Sequence, residues 1–231
     1  MSTPVYANVP VGFKPTAAVT FINANGTAAK IIVDNQPAAV ATSTAPQFYG
    51  GGTVIDLTAS SSDSAARDVQ LYEGEVTTTV GSNTGAVTTT TSSIPRSSGS
   101  YIADGWLVGD LAMTFAPFGT APNAGVDGIP CIVTSVGALG LGLNGTPIAA
   151  LGLATGTRIL RVRPTIKASV PATAGTVNSV GSYGLLNNAN DGTVIRTEIK
   201  LGANSILAAA MGSAVTSGAF AVSISAKVAL Y

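Results

Sequence analysis

Thr53-Val54-Ile55-Asp56-Leu57-Thr58-Ala59, then Ser60-Ser61-Ser62-Asp63-Ser64-Ala65-Ala66, then Arg67-Asp68-Val69-Gln70-Leu71-Tyr72, is the stretch whose reading decides the fold. In its first segment Ile55, Leu57 and Ala59 point one way, while Val54, Asp56 and Thr58 point the other. In its last segment Val69 and Leu71 share the side expected to be buried. Successive side chains of a strand alternate between faces, so the pattern predicts two half-buried strands. The Ser and Asp residues between them suit a surface turn, because their side chains hydrogen-bond nearby backbone. Alternating runs separated by Gly, Ser, Thr and Asn recur along the chain. The expected fold is therefore all-β: an antiparallel β-sandwich or barrel-like body.

Upstream of this stretch, Asn25-Gly26 sits between Val19-Thr20-Phe21-Ile22 and Lys30-Ile31-Ile32-Val33. Asn-Gly suits a type I′ turn, which predicts a β-hairpin there. Residues 1–16 hold Pro4, Pro10 and Pro15 with Tyr6 and Phe13 among them, and read as an extended arm. The arm either lies over its own domain or reaches a neighbouring subunit. Residues 17–231 read as one β-rich domain.

Downstream, Thr77 to Ser100 is rich in Thr, Ser and Gly, with Val80, Val87 and Ile94 as its larger aliphatic residues. β-Branched threonines favour strand, so a long Thr/Ser-rich hairpin or loop projecting from the body is expected. Tyr101 to Phe118 is the richest aromatic segment, with Tyr101, Trp106, Phe115 and Phe118, and reads as a short helix or a strand. Aromatic residues at that density point to core. Within it, Asp104-Gly105 and Gly109-Asp110 flank Trp106-Leu107-Val108. Thr157 to Lys167 is expected as a strand with Leu160 and Val162 inward and Arg161 and Arg163 outward, and Val194 to Leu201 as another with Ile199 and Leu201 inward. Ser205-Ile-Leu-Ala-Ala-Ala-Met211 combines good helix formers with a potential capping Ser and predicts a helical turn. The longest alternation closes the chain: Phe220, Val222, Ile224, Ala226, Val228 and Leu230 share one face. That strand, ending at Tyr231, belongs at the centre of a sheet or pairs with another subunit.

Composition narrows the chemistry. A chain of 231 residues with 46% hydrophobic content can bury roughly 70% of its unfolded surface without a metal or disulfide. Its single cysteine, Cys131, sits between apolar neighbours and reads as a buried thiol. There is no histidine, which removes the Ser-His-Asp and Cys-His nucleophiles, His-ligated zinc and the usual proton shuttle. The Glu73 and Glu75 pair lacks the Asp- and Asn-rich loop of a calcium site. Gly140-Leu-Gly142-Leu-Asn-Gly145 has dinucleotide-site spacing, but Thr146-Pro147 follows and no acid occurs until Asp191. Turns and close packing explain those glycines. Asn25-Gly-Thr27 and Asn144-Gly-Thr146 fit the glycosylation pattern and read as turns. Neither an enzyme nor a cofactor is expected.

Charges make up only 10% of residues and balance overall, yet unevenly. Residues 1–127 carry four basic and nine acidic side chains, a net −5, whereas 128–231 carry seven and two, a net +5. Arg158, Arg161, Arg163 and Lys167 cluster in a stretch without carboxylates and read as a contact for an acidic protein surface. With a pI near 6.1 and few interleaved aromatics, nucleic acid is not an expected partner. The uncharged run from Ile129 is broken by Pro and Gly, so no membrane helix is expected. The start Met1-Ser-Thr-Pro-Val5 has neither basic charge nor apolar core, so no secretory leader is expected.

From Gly51 through Thr53-Val-Ile-Asp-Leu-Thr-Ala59 and the Ser/Asp-Ser-Ala turn to Leu71-Tyr72, the chain resembles small virion structural proteins of tailed bacteriophages. Sparse charge, the absence of His, and abundant Ala, Thr, Ser, Gly and Val extend the likeness. The resemblance implies a β-rich, non-enzymatic homo-oligomer, a dimer or trimer, that decorates the capsid exterior and contacts the major capsid protein or other virion proteins. The contacts expected on this reading are Arg158, Arg161, Arg163 and Lys167, with Tyr6 and Phe13 of the arm and Tyr231 of the last strand. Two alternatives accompany it: a neck or tail structural protein, and a carbohydrate- or receptor-binding fibre or adhesin head with Tyr101 and Trp106 as a stacking platform.

Overall fold

The computed structural model describes residues 12–16, 18–35, 52–80, 87–117, 120–144, 148–153, 156–164, 166–172, 177–180, 199–202 and 204–230. Within them the chain forms β1 (Gly12–Pro15), β2 (Val19–Ile22), β3 (Lys30–Asp34), β4 (Gly52–Ser61), β5 (Arg67–Val80), β6 (Val87–Thr89), β7 (Ser93–Pro95), β8 (Leu111–Phe115) and β9 (Cys131–Val136). It continues with β10 (Gly140–Leu143), β11 (Leu151–Leu153), β12 (Arg158–Val162), β13 (Ile166–Ala172), β14 (Val177–Val180), β15 (Ile199–Leu201), β16 (Ser205–Met211) and β17 (Ala221–Leu230). The sole helical element among the described residues is one 3₁₀ turn, Asn23–Asn25. The protein is all-β, as its alternating pattern requires.

The strands make antiparallel sheets of six, nine and two members. In the six-stranded sheet β17 lies at the centre, paired with β4 along one edge; β1 and β2 share its other edge. The far edge of β4 is likewise shared by β15 and β14. The expectation of a central C-terminal strand holds: Val222, Ile224, Ala226 and Val228 are all buried on one face. The large sheet runs β3-β16-β5-β12-β8-β9-β10-β7, with β13 beside β12 along the same edge of β5.

Three apolar clusters hold these layers. The first joins Leu57, Ala59, Val222 and Ile224 of the smaller sheet to Val69, Leu71, Leu207 and Met211 of the larger one, and is the sandwich core. The second covers the opposite face of the larger sheet: Tyr72, Leu111, Met113, Phe115, Leu160, Ile206 and their neighbours. The third lies beyond β8 and β12, where Ile159 and Ala112 meet Val87, Ile94, Tyr101, Trp106, Val133 and Leu141. At about 25 cal/mol per Å² of apolar surface removed from water, these clusters are the main favourable contribution to folding.

Several expectations change on contact with this architecture. In β4, Val54 rather than Ile55 joins Leu57 and Ala59 in the core. Lys227 pairs with Asp56 and Val228 with Val54, so Ile55 is the extra residue of a β-bulge, which resets the alternation. Asn25-Gly26 does not close a hairpin: β2 pairs with β17, whereas β3 pairs with β16 in the other sheet. Phe21 and Ile32 both belong to the sandwich core, and the chain crosses between layers to deliver them. Local hydrogen bonds hold that crossing, with Asn25 Oδ1 accepting from Ile22 N at 2.9 Å and from Lys30 Nζ at 3.1 Å.

Ser205–Met211 is a strand, not a helical turn. Every residue in it is buried, because it runs between β3 and β5 with core on both faces. Tertiary pairing overrides the helix propensity of its alanines, whose small side chains fit between two packed layers. The Thr/Ser-rich stretch does form a hairpin, β6 and β7 bridged at Val87–Arg96 and Thr90–Ser93. It packs inward, with Val87 and Ile94 wholly buried, while its first residues, Thr77–Val80, complete β5. Gly140–Leu143 is a strand with no helix after it, and a Cβ at Gly142 would run into the Ser135 side chain. Close packing accounts for that glycine.

The turn between β4 and β5 is more than a polar link. Asp63 is completely buried, and its carboxylate accepts from Arg67 Nε at 2.7 Å, Ala65 N at 3.1 Å, Thr216 N at 2.9 Å and Thr216 Oγ1 at 2.7 Å. Arg67 also donates to Ser213 and Thr216. The turn is thereby tied to the segment that leads into β17.

Candidate functional site

The loop from Ser97 to Asp110 joins β7 to β8 and is built by side-chain and glycine chemistry written in its sequence. Ser100 accepts the amide of Ala103 on its hydroxyl and that of Asp104 on its carbonyl. Gly105 and Gly109 both take positive φ, +75° and +91°, the left-handed region in which side chains are disfavoured. Asp110 accepts the Leu107 amide at 2.9 Å, closing the second turn. Backbone bonds from Tyr101 N to the Ala138 carbonyl and from Gly109 N to that of Val133 fasten the loop to the β9–β10 hairpin.

Inward, Tyr101 and Trp106 enter the third core edge to face, ring centroids 5.9 Å apart at 88°. Pointing them in forces their neighbours out. Ile102, Leu107 and Val108 are 60%, 55% and 65% exposed, and Leu139 of the adjoining hairpin is 49% exposed. Large aliphatic side chains exposed together on one loop form an apolar ridge.

Three arginines brace this ridge from below. Arg96 Nη1 donates to Asp104 Oδ2 at 2.7 Å, with its guanidinium 4.0 Å above the Tyr101 ring. Arg161 Nη1 donates to the carbonyls of Asp104 and Gly105, both at 3.0 Å, and its guanidinium lies 5.8 Å from the Trp106 ring. Arg163 holds the buried Asp110 carboxylate with two nitrogens, each at 3.1 Å, and the Gly105 carbonyl at 2.6 Å. The hydrogen bond to Asp110 raises the Arg163 pKa above its ordinary value. Paired, two-pronged contacts of this kind fix geometry as well as charge.

The basic cluster expected from the sequence is therefore divided. Arg161 and Arg163 converge on the loop. Arg158 turns the other way, bonded to the Ala116 carbonyl and stacked on Phe115. Lys167 lies on β13 opposite Tyr72, and its side chain is outside the described residues. Phe13 lies on β1, opposite Ala229, again without a described side chain; Tyr6 and Tyr231 are outside the described residues. Ile102, Leu107, Val108 and Leu139 were not singled out from the sequence as contact residues. The available signal was Leu107-Val108 held between two Asp/Gly pairs, which marks a tight loop with apolar residues at its tip.

Among the described residues, no group of three or more His, Cys, Asp and Glu side chains gathers as a metal site. Glu73 is buried while Glu75 is exposed. No helix among them is long and apolar enough to cross a membrane. Comparison with known proteins gives no match to any family model, curated protein or solved structure.

Proposed function

We propose that the chain is a non-enzymatic structural protein of a tailed-phage virion, a decoration protein that binds the capsid exterior as an oligomer and stabilises it. The resemblance around Gly51–Tyr72 suggests the class, and the braced ridge is the observation that carries the reading. A loop whose backbone carbonyls and carboxylates are clamped by Arg96, Arg161 and Arg163 presents Ile102, Leu107, Val108 and Leu139 in one arrangement. Preorganised apolar surface loses little entropy on docking, so it contributes more of its burial to affinity. The carbohydrate-binding alternative loses its platform, since Trp106 is only 3% exposed. The test is reconstitution. Purified protein added to undecorated heads of its own phage should bind saturably and raise the temperature at which the heads release DNA. Failure to bind heads that accept another decoration protein would refute the proposal.

A further inference from the structure

Arg96 is unusual even among the arginines of the loop. It is 4% exposed, and its side chain is wholly buried. One face of the guanidinium rests on Tyr101 and the other on Gly99, where an added Cβ would lie 3.1 Å from Cζ. Nη1 is engaged by Asp104, but neither Nε nor Nη2 has a protein acceptor. Those two nitrogens form the side of a guanidinium that takes both oxygens of a carboxylate. Nearby in the same stack, the Trp106 Nε1 donor, the Tyr101 hydroxyl and Arg161 Nε are also buried without a protein partner. Burial raises the Tyr101 pKa well above its usual value, so the phenol keeps its proton and can donate. A buried donor without an acceptor costs about 1–3 kcal/mol, more when charged, so a cluster of them points to a group that brings acceptors. The charges point the same way: Arg96, Arg161 and Arg163 against Asp104 and Asp110 leave one positive charge.

We propose that the Nε–Nη2 edge of Arg96 binds a small monovalent carboxylate, formate or acetate in size, as a structural anion beneath the loop. The closed surroundings of the fork set the size, the donor-only edge sets the acceptor chemistry, and the charge sum sets the valence. This site is independent of where the protein docks, so it can fail while the decoration reading stands, and the reverse.

The test uses the full chain. Thermal unfolding and the emission of Trp106, the only tryptophan, are followed while sodium formate, acetate or benzoate is titrated against sodium chloride at matched ionic strength. Formate and acetate should give saturable rises in melting temperature and saturable changes in Trp106 emission that chloride and benzoate do not. Arg96→Lys, which keeps the charge but not the fork, should raise the half-saturating concentration roughly tenfold or more. Formate acting no differently from chloride would mean that water serves these donors, and would overturn the site. So would benzoate matching formate, or an unchanged midpoint in Arg96→Lys. Should that variant not fold, the wild-type size series decides alone.

Discussion

Asp63 shows how much one polar side chain can organise. Burial alone would favour the protonated acid, yet hydrogen bonds from the Thr216 side chain and amide, from Arg67 and from the Ala65 amide outweigh it and hold the carboxyl well below the usual range. The sign of the linkage follows. A depressed folded-state pKa contributes stability that is complete above the ordinary carboxylate pKa, about 3.9, and is lost as pH falls through that value toward the folded one. Chemical denaturation across pH 3 to 7 should therefore show stability falling steeply on the acid side, and Asp63→Asn should flatten that slope while lowering the midpoint at neutral pH. Cys131 offers a converse case. It is 1% exposed, and burial pushes its thiol up to about 12, so almost no thiolate exists at neutral pH. A thiol reagent should leave the native protein unmodified and label one site per chain after denaturation. Gly74, in the middle of β5, is a matter of space: a Cβ there would sit 2.5 Å from the Arg163 carbonyl oxygen and 2.9 Å from Val162 Cγ1. Gly74→Ala should cost about 1–3 kcal/mol in a urea titration, since backbone must move to admit the methyl group.

At the scale of elements, the sequence was most legible where one face of a strand meets core and the other meets solvent. β5 around Val69 and Leu71, and β17 from Val222 to Val228, are of that kind, and period-two alternation suffices for them. It fails where both faces are covered. β16 reads as Ile-Leu-Ala-Ala-Ala-Met without alternation because Ile206 and Ala208 serve one core while Leu207 and Ala209 serve another. Such a run cannot be distinguished from a buried helix by periodicity. The Asn25-Gly26 crossing and the Ile55 bulge were hidden for another reason: each depends on a partner strand roughly 180 residues away in sequence, and local turn chemistry is silent about partners. The same holds for the loop site, where the carboxylate of Asp110 and the arginine that grips it, Arg163, are separated by 53 positions. A pair of substitutions measures the difference between core and ridge. Leu207→Ala, at a fully buried position of β16, should destabilise by about 2–5 kcal/mol in equilibrium unfolding. Leu107→Ala, at a position 55% exposed, should stay within about 0.5 kcal/mol of wild type.

For the molecule as a whole, the layers assign different work to different regions. The sandwich core and the second cluster are shut off from solvent on every strand they use, so their surfaces have nothing left to offer a partner. The third cluster is where core and surface meet in one loop, with Trp106 inside and Leu107 and Val108 outside. If the proposed function holds, replacing the outer residues should separate docking from folding, since they contribute little to the core. Leu107→Asp with Val108→Asp should leave the melting temperature within a few degrees and leave Trp106 emission unshifted, because the arginine braces act on backbone carbonyls and on Asp104 and Asp110. Binding of that variant to undecorated heads should weaken at least tenfold, as buried carboxylates facing an apolar partner surface would lack acceptable hydrogen-bond partners. Arg163→Met should produce the opposite pattern: the ridge residues stay, but Asp110 loses its partner and the loop its brace. A buried carboxylate stripped of its cation typically costs several kcal/mol, so stability should fall by about 3–5 kcal/mol. Head binding by the folded fraction should drop with it, as the ridge is no longer held in one shape. Should the double-aspartate variant bind heads as tightly as wild type, the ridge is not the docking face. The contact would then have to be sought elsewhere on the molecule, with the braced loop kept for stability alone.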